Sequence, residues 1–399
     1  MSKHSNVACV AVGVLFALGI ATPAVADPRI PTRDGEILEH LPITVADIRA
    51  RELRALRDAL AAAPDNLTLA VQLAGDYIEI GRATGDPRYS GYAQSALSFW
   101  WQDPLPPLQV LVLRAQLRQR VHDFPAALAD LNLALKTNPR EARARLLRAT
   151  VLQVTGNYTA AASDCAALAK TANRLFGLHC QASAMSMTGQ LPRAYSLLKA
   201  EIDSLQSLDA GTGSWIITTT AEMADRLGEP AQAAELYRRA VQLTPSDQYL
   251  LISYADFLLA EGRASEALPL LAPYPRVDGL LLRYALALRA TGTDASDAVT
   301  QLRARFAASA ARGETIHRRE QARFVLEIEH EPRAALGLAL DNWRVQKESA
   351  DLRILVAAAR AAADPVALQT AADWINHNHY QDHRLTPATH GSVVSWSGT

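Results

Sequence analysis

The densest concentration of metal-binding side chains is the stretch HNHYQDH, which holds His377, His379 and His383. Imidazoles bind zinc, copper or nickel. On a helix His379 and His383, four apart, share a face, whereas His377 and His379, two apart, do not. No cysteine or repeated carboxylate stands beside them to complete a coordination shell. A metal-handling end is therefore the alternative reading, and the polar end of a solvated helix is the favoured one. EIEH at Glu327 to His330 has the Glu-Xaa-Xaa-His spacing used in di-metal carboxylate bundles, but those need a second copy and two further glutamates. Only one copy is present. The sequence contains no Gly-Xaa-Ser-Xaa-Gly elbow, no phosphate-cradling loop ending in Lys-Ser/Thr, no Cys-Xaa-Xaa-Cys and no His-Glu-Xaa-Xaa-His. No catalytic residue and no cofactor is assigned on these grounds, and the reading is of a chain that is not an enzyme.

The start of the chain sets the compartment in which the cysteines are read. Lys3 and His4 precede the apolar run VACVAVGVLFALGIA, and small residues at Ala24 and Ala26 lead into Asp27. That order fits a cleaved secretory signal over residues 1–26, too short in its apolar part for the roughly 20 residues of a membrane span. The expected mature chain is exported, to a periplasm or an equivalent space, and keeps no membrane span. Cys9 leaves with the signal, so Cys165 and Cys180 remain. In an oxidising compartment two thiols can pair, and a separation of fifteen residues suits adjacent packed helices. Two small buried hydrophobes are the competing reading.

Composition excludes one class of partner. The 399 residues include 40 Lys plus Arg and 41 Asp plus Glu, without a dense basic cluster to neutralise phosphates. Nucleic acid is not expected as a partner.

The elements that must position any site recur. HDFPAALADLNLALKTNP (122–139) and GEPAQAAELYRRAVQLTP (228–245) follow one outline of small and apolar residues, ending on proline. Ala115, Ala127 and Ala134 in one stretch correspond to Ala221, Ala233 and Ala240 in the other. Gly156 and Gly189 lie 33 apart and Gly228 and Gly262 lie 34 apart, each at a break between two helix-like runs. The longer step from Gly189 to Gly228 implies an insertion around SLDAGTG (207–213). Each run carries an apolar stripe that one helix pair cannot bury alone, so copies must stack. In FWWQDPLPP (99–107), neighbours on a helix face different ways, so one of Trp100 and Trp101 fills the core and the other covers the linker or an edge, a partner-facing anchor being the alternative.

This outline resembles the tetratricopeptide repeat. LAGDY at Leu73 to Tyr77 matches the first half of its loose signature, and Ala233, Tyr237, Ala240 and Pro245 match the second. The resemblance implies an all-α, right-handed α-solenoid of about eight to nine helix-turn-helix repeats of roughly 34 residues. It spans residues 44–384, after an extended segment at 27–43 and before a tail at 385–399. It further implies a concave wall, lined by the first helix of each pair, that binds a protein or extended peptide. Inward-facing offsets carried onto this chain give Gln116, Gln119, Arg120, Arg143, Gln153, Trp215, Glu222, Asp225, Arg226, Tyr249 and Asp256. The identity of the partner and the oligomeric state stay open.

Overall fold

A computed structural model describes residues 45–170, 174–204 and 209–385. The expected signal (1–26), the segment 27–43 and the tail from residue 386 onward lie outside the described residues. The chain divides into two compact units, Met1–Glu52 and Leu53–Thr399. Of the first, only the opening of helix α1 (Val45–Ala62) is described. Everything below concerns the second.

Helices follow in pairs. After α1 come α2 (Leu67–Thr84), with the short α3 (Arg88–Ala96) and α4 (Ser98–Trp101) together in place of one second helix. Regular pairs follow: α5 (Leu108–Arg120) with α6 (Phe124–Thr137), α7 (Ala142–Val154) with α8 (Tyr158–Ala169), and α9 (Arg174–Ser186) with α10 (Leu191–Ser204). Next are α11 (Ala210–Leu227) with α12 (Pro230–Leu243), α13 (Gln248–Ala260) with α14 (Ala264–Leu271), and α15 (Asp278–Ala290) with α16 (Ser296–Ala311). The last are α17 (Arg318–Glu327) with α18 (Pro332–Val345) and α19 (Ser349–Ala361) with α20 (Pro365–Asn378), then a 3-10 turn at His383–Leu385. Among the described residues there is no strand, and the unit is an α-solenoid of stacked pairs.

Local chemistry explains the punctuation. Asn66, Asp123, Asn157, Asp209, Asp247 and Asp364 each accept a backbone N–H in the first turn of the helix they precede, satisfying a donor that has no partner inside the helix. Pro125, Pro230, Pro332 and Pro365 stand in the first turn of second helices, where a missing N–H costs nothing. Breaks between paired helices need a left-handed residue. Gly156, Gly189, Gly228 and Gly262 supply it, and where glycine is missing His122, His330 and Ala363 adopt positive φ instead. Asp209 to Gly213, expected within an insertion, form the N-cap and first turn of α11.

The alanines are where helices close on one another: Ala115, Ala127, Ala134, Ala221, Ala233 and Ala240 are all fully buried. The largest apolar cluster runs through α9 to α15, with Leu198, Ile216, Tyr237 and Phe257 at its centre. Trp100 is buried in the cluster around α2 and α3, while Trp101 is half-buried with the Arg118 guanidinium 5.8 Å from its ring centroid. Among the described residues no helix is long and apolar enough to cross a membrane.

Pairs far apart in sequence also touch. The Lys347 amide donates to the Val154 carbonyl at 2.7 Å, and the Tyr158 hydroxyl donates to the Lys347 carbonyl, 189 residues away. The Leu191 amide donates to the Gln381 side chain across 190 residues, and Arg226 donates to the Gln381 carbonyl across 155. Arg82 pairs with Asp247 across 165. The breaks at Gly156, Gly189 and Gly228 thus face Lys347, His379 and His383 respectively. The array winds until its last pairs lie against its middle ones.

Candidate functional site: the inner cavity

Winding encloses a cavity of about 310 Å³. Its wall is built mainly by first helices: Thr150 and Gln153 from α7, His179 and Ser183 from α9, Trp215, Thr219 and Glu222 from α11, and Tyr249 and Ser253 from α13. Arg283 of α15, Arg319 of α17 and residues 347–350 with Arg353 complete it. Helix periodicity explains the selection, because Trp215, Thr219 and Glu222 are spaced four and three apart on one face of α11.

Charge pairs brace the wall. Asp225, 4 % exposed, accepts from Arg353 at 3.0 Å and from Arg384 at 2.6 Å. Burial pushes its carboxyl up, but the Arg384 hydrogen bond and the Arg353 charge outweigh that and leave it below the usual range. Arg353 also grips Asp382 with two hydrogen bonds of 2.7 and 3.0 Å, a bidentate geometry that fixes both groups. Asp256 accepts from Arg283 at 2.8 Å and from Arg323; those guanidiniums overcome burial and lower its carboxyl. Asp351, fully buried at the start of α19, is raised to about 6, chiefly by burial, against the pull of Arg319.

Other polar groups are uncharged or hydrogen-bonded to neutral neighbours. His179 shares a 3.0 Å hydrogen bond with Thr219, lies 3.8 Å from the Trp215 ring by centroid, and is pushed down to about 3 by burial. It is neutral at physiological pH. Glu222 accepts from the Tyr249 hydroxyl at 2.7 Å and from the Ser253 hydroxyl at 2.6 Å, and burial raises its carboxyl. Cys165 and Cys180 are joined by a disulfide between α8 and α9, with Cα atoms 5.3 Å apart, and the Gln153 amide donates to the Cys180 carbonyl beside it at 3.4 Å.

The offsets taken from the repeat resemblance divide in two. Gln153, Trp215, Glu222, Asp225, Arg226, Tyr249 and Asp256 line the cavity. Gln116, Gln119, Arg120 and Arg143 lie on α5 and α7 outside that lining; Arg143 donates to Gln116 at 2.6 Å. Asp225 and Arg226 are not an open wall, because the chain's own residues 380–385 cover them. Arg226 donates to Ser186 and to the Gln381 carbonyl and lies 4.4 Å from the Tyr380 ring centroid.

The histidine stretch differs from its expected helical face. Helix α20 stops at Asn378, and His379 is left-handed with φ 49°. His379 and His383 therefore share no face, and each lies against a repeat break at Gly189 or Gly228. The stretch is solvated only in part: its histidines are exposed, while Tyr380, Asp382 and Leu385 are buried, Tyr380 beneath Arg226 of α11. In EIEH, α17 ends at Glu327, which pairs with Arg323, and His330 belongs to the following turn. Among the described residues no group of three His, Cys, Asp or Glu side chains could hold one metal ion.

Sequence reasoning missed the contributions of Arg283, Arg319, Lys347 and Arg353, because nothing local in α15 to α19 signals that they will face α11. Comparison with known proteins identifies the building unit. The family described as "Tetratricopeptide repeat" matches residues 226–291, from the end of α11 through α15. Residues 226–291 carry the tetratricopeptide repeat. No curated protein matches this sequence. Among solved structures, a tetratricopeptide repeat protein from Parabacteroides merdae is 17 % identical, covering 61 % of this chain and 93 % of its own, with a TM-score of 0.45. The human IFIT1 dimer with m7Gppp-AAAA is 13 % identical over 84 % of this chain and 78 % of its own, also at 0.45. Yeast Tom70 is 12 % identical over 82 % and 96 %, at 0.30.

Proposed function

We propose that this protein is a non-enzymatic, exported scaffold whose tetratricopeptide repeats dock a protein or extended peptide against their inner wall. One observation carries the reading: successive first helices turn Trp215, Tyr249 and a set of hydroxyl and amide groups into one cavity instead of burying them in the seams. Tyr249 is 51 % exposed, and a rigid, half-open aromatic is the type of side chain that anchors a partner. About 310 Å³ accommodates a few side chains of an extended segment and not a whole helix. The charged start and apolar run before Ala26 support export, as does the Cys165–Cys180 disulfide, a bond that is rare in reducing compartments.

Crosslinking followed by affinity capture from a cell-envelope extract tests the proposal, with a Trp215→Ala, Tyr249→Ala double variant beside the wild type. A discrete protein captured by the wild type and lost in the variant, at unchanged helicity by circular dichroism, is the expected result. A partner retained at full yield by the variant removes the inner wall from the reading.

A further inference from the structure

Every other carboxylate on the cavity wall has an arginine. Asp225 has Arg353 and Arg384, Asp256 has Arg283 and Arg323, and Glu348 has Arg319. Glu222 forms no ion pair among the described residues; the cation whose charge reaches it, Arg226, is held by other groups. Both of its hydrogen bonds, from Tyr249 and Ser253, arrive at Oε1, and no described residue donates to Oε2. The two cavity cations without a carboxylate are taken up elsewhere. Arg226 is held by Ser186, the Gln381 carbonyl and the Tyr380 ring. The Lys347 ammonium donates to the Trp343 carbonyl and lies 4.8 Å from that ring's centroid.

A carboxylate with one unused oxygen, in a cavity that also contains aromatic faces and hydroxyl oxygens, selects among ligands. An anion would meet the Glu222 charge, and an apolar group would leave Oε2 desolvated without a donor. A calcium-like ion needs six or more oxygen ligands, and no second carboxylate is free to join. A primary ammonium fits: one N–H donates to Oε2, others reach the Tyr249 and Ser253 oxygens, and its alkyl carbons lie along the rings of Trp215 and Tyr249. We propose that the inner cavity is a binding site for a primary alkylammonium group, seated on Oε2 of Glu222. The group belongs either to a free amine or to a lysine side chain of a docked peptide; only the lysine source rests on the docking function proposed above.

Ligand-observed saturation-transfer NMR on the full chain tests this with n-butylammonium against n-butanol, and with acetyl-Gly-Lys-Gly-amide against its norleucine counterpart. The charged member of at least one pair is expected to bind about tenfold more tightly or better, the effect of one hydrogen bond to a charged group. In Glu222→Gln, which keeps an acceptor for Tyr249 and Ser253, that preference should fall to about parity. Preference in the butyl pair alone assigns a free amine, and preference in the peptide pair alone assigns a lysine side chain. If neither charged probe outbinds its neutral partner on the wild type, the proposal is wrong, whatever becomes of the variant. A preference that survives Glu222→Gln in a folded protein overturns it equally. Failure of the wild type to capture any protein, with the amine preference intact, would sink the docking function and leave this site standing.

Discussion

The pair α11–α12 and the pair α19–α20 are one architectural unit held in two different ways. The first has a sequence neighbour on each side, and its Ile216, Ala221, Ala233, Tyr237 and Ala240 join an apolar cluster reaching from α9 to α15. The second shares the cluster of α17 and α18 on one side only, through Leu352, Leu355, Ala358 and Ala371. Its other support comes from the middle pairs, chiefly through the ion pairs of Arg353 and Arg384 with Asp225 of α11, beside an edge-on contact of Trp374 with Tyr158 of α8. The difference follows from what each surface meets. A seam between sequence neighbours is dry from the moment it forms, whereas the edge of a middle pair stays in water until the array has wound back to it. Apolar side chains there would be exposed before closure and prone to association; paired charges stay soluble in either state.

Breaking the charged side should have the largest effect. Asp225→Ala removes the carboxylate shared by Arg353 and Arg384; because Asp382 and Glu261 still hold the two cations, the cost is at the low end for a broken buried pair, about 3 kcal/mol. Urea unfolding should show the loss, and limited proteolysis should cut near residues 378–385 far sooner than in wild type. Acid should do the same reversibly. The folded Asp225 carboxyl titrates below its ordinary 3.8, so its contribution is complete above that pH and disappears as pH falls through the folded value. In Asp225→Ala the acid-dependent release of the segment should be absent.

Reducing the Cys165–Cys180 bond attacks the other side of the comparison, since it joins helices adjacent in sequence. A closed loop of 15 residues contributes about 3 kcal/mol in the chain-entropy picture. Thermal melts with and without reductant should show a lower midpoint, yet cutting near 378–385 should not accelerate at a temperature where the fold persists.

Two glycines separate local from distant support more finely. Gly189 and Gly262 both have positive φ, so alanine at either costs about 1–2 kcal/mol for the left-handed backbone. A Cβ at Gly262 meets open space, whereas at Gly189 it would lie 2.8 Å from the His379 Cβ. Gly189→Ala should therefore be the more destabilising of the two by about 1 kcal/mol or more, and it alone should loosen the C-terminal segment. At the small end, Arg82→Ala breaks a pair with Asp247 whose side chains are 54 % and 27 % exposed, and chemical denaturation should register less than about 1 kcal/mol.

How much was legible in the sequence follows the same division. Helix pairs, buried alanines and breaks are written locally, in periods of a few residues, and His122 marks a break as clearly as Gly228 once the outline is aligned. Tyr249 and Glu222 could be placed on an inner wall only by analogy with a repeat family, since their spacing is equally that of a solvated helix face. Arg353 and Asp382 carried no signal at all. Their partners are set by the small rotation each pair adds to the last, summed over the array, and no local pattern encodes that sum. HNHYQDH misleads for this reason: its polar character suits an exposed end, yet Tyr380 is buried against Arg226, more than a hundred residues away.

Fastening the last pair to the middle also changes how such an array can come apart. An open repeat protein behaves as a one-dimensional chain of neighbours, frays from its ends, and samples partly melted states cheaply. Here α20 cannot fray without releasing Arg226 and Asp225, and α11 cannot open without freeing Arg353. Links across 155 to 190 residues raise the contact order, which slows the final closure and makes unfolding more nearly all-or-none. Amide hydrogen exchange should then report matched protection in α11 and α19, as if the two helices were parts of one foldon.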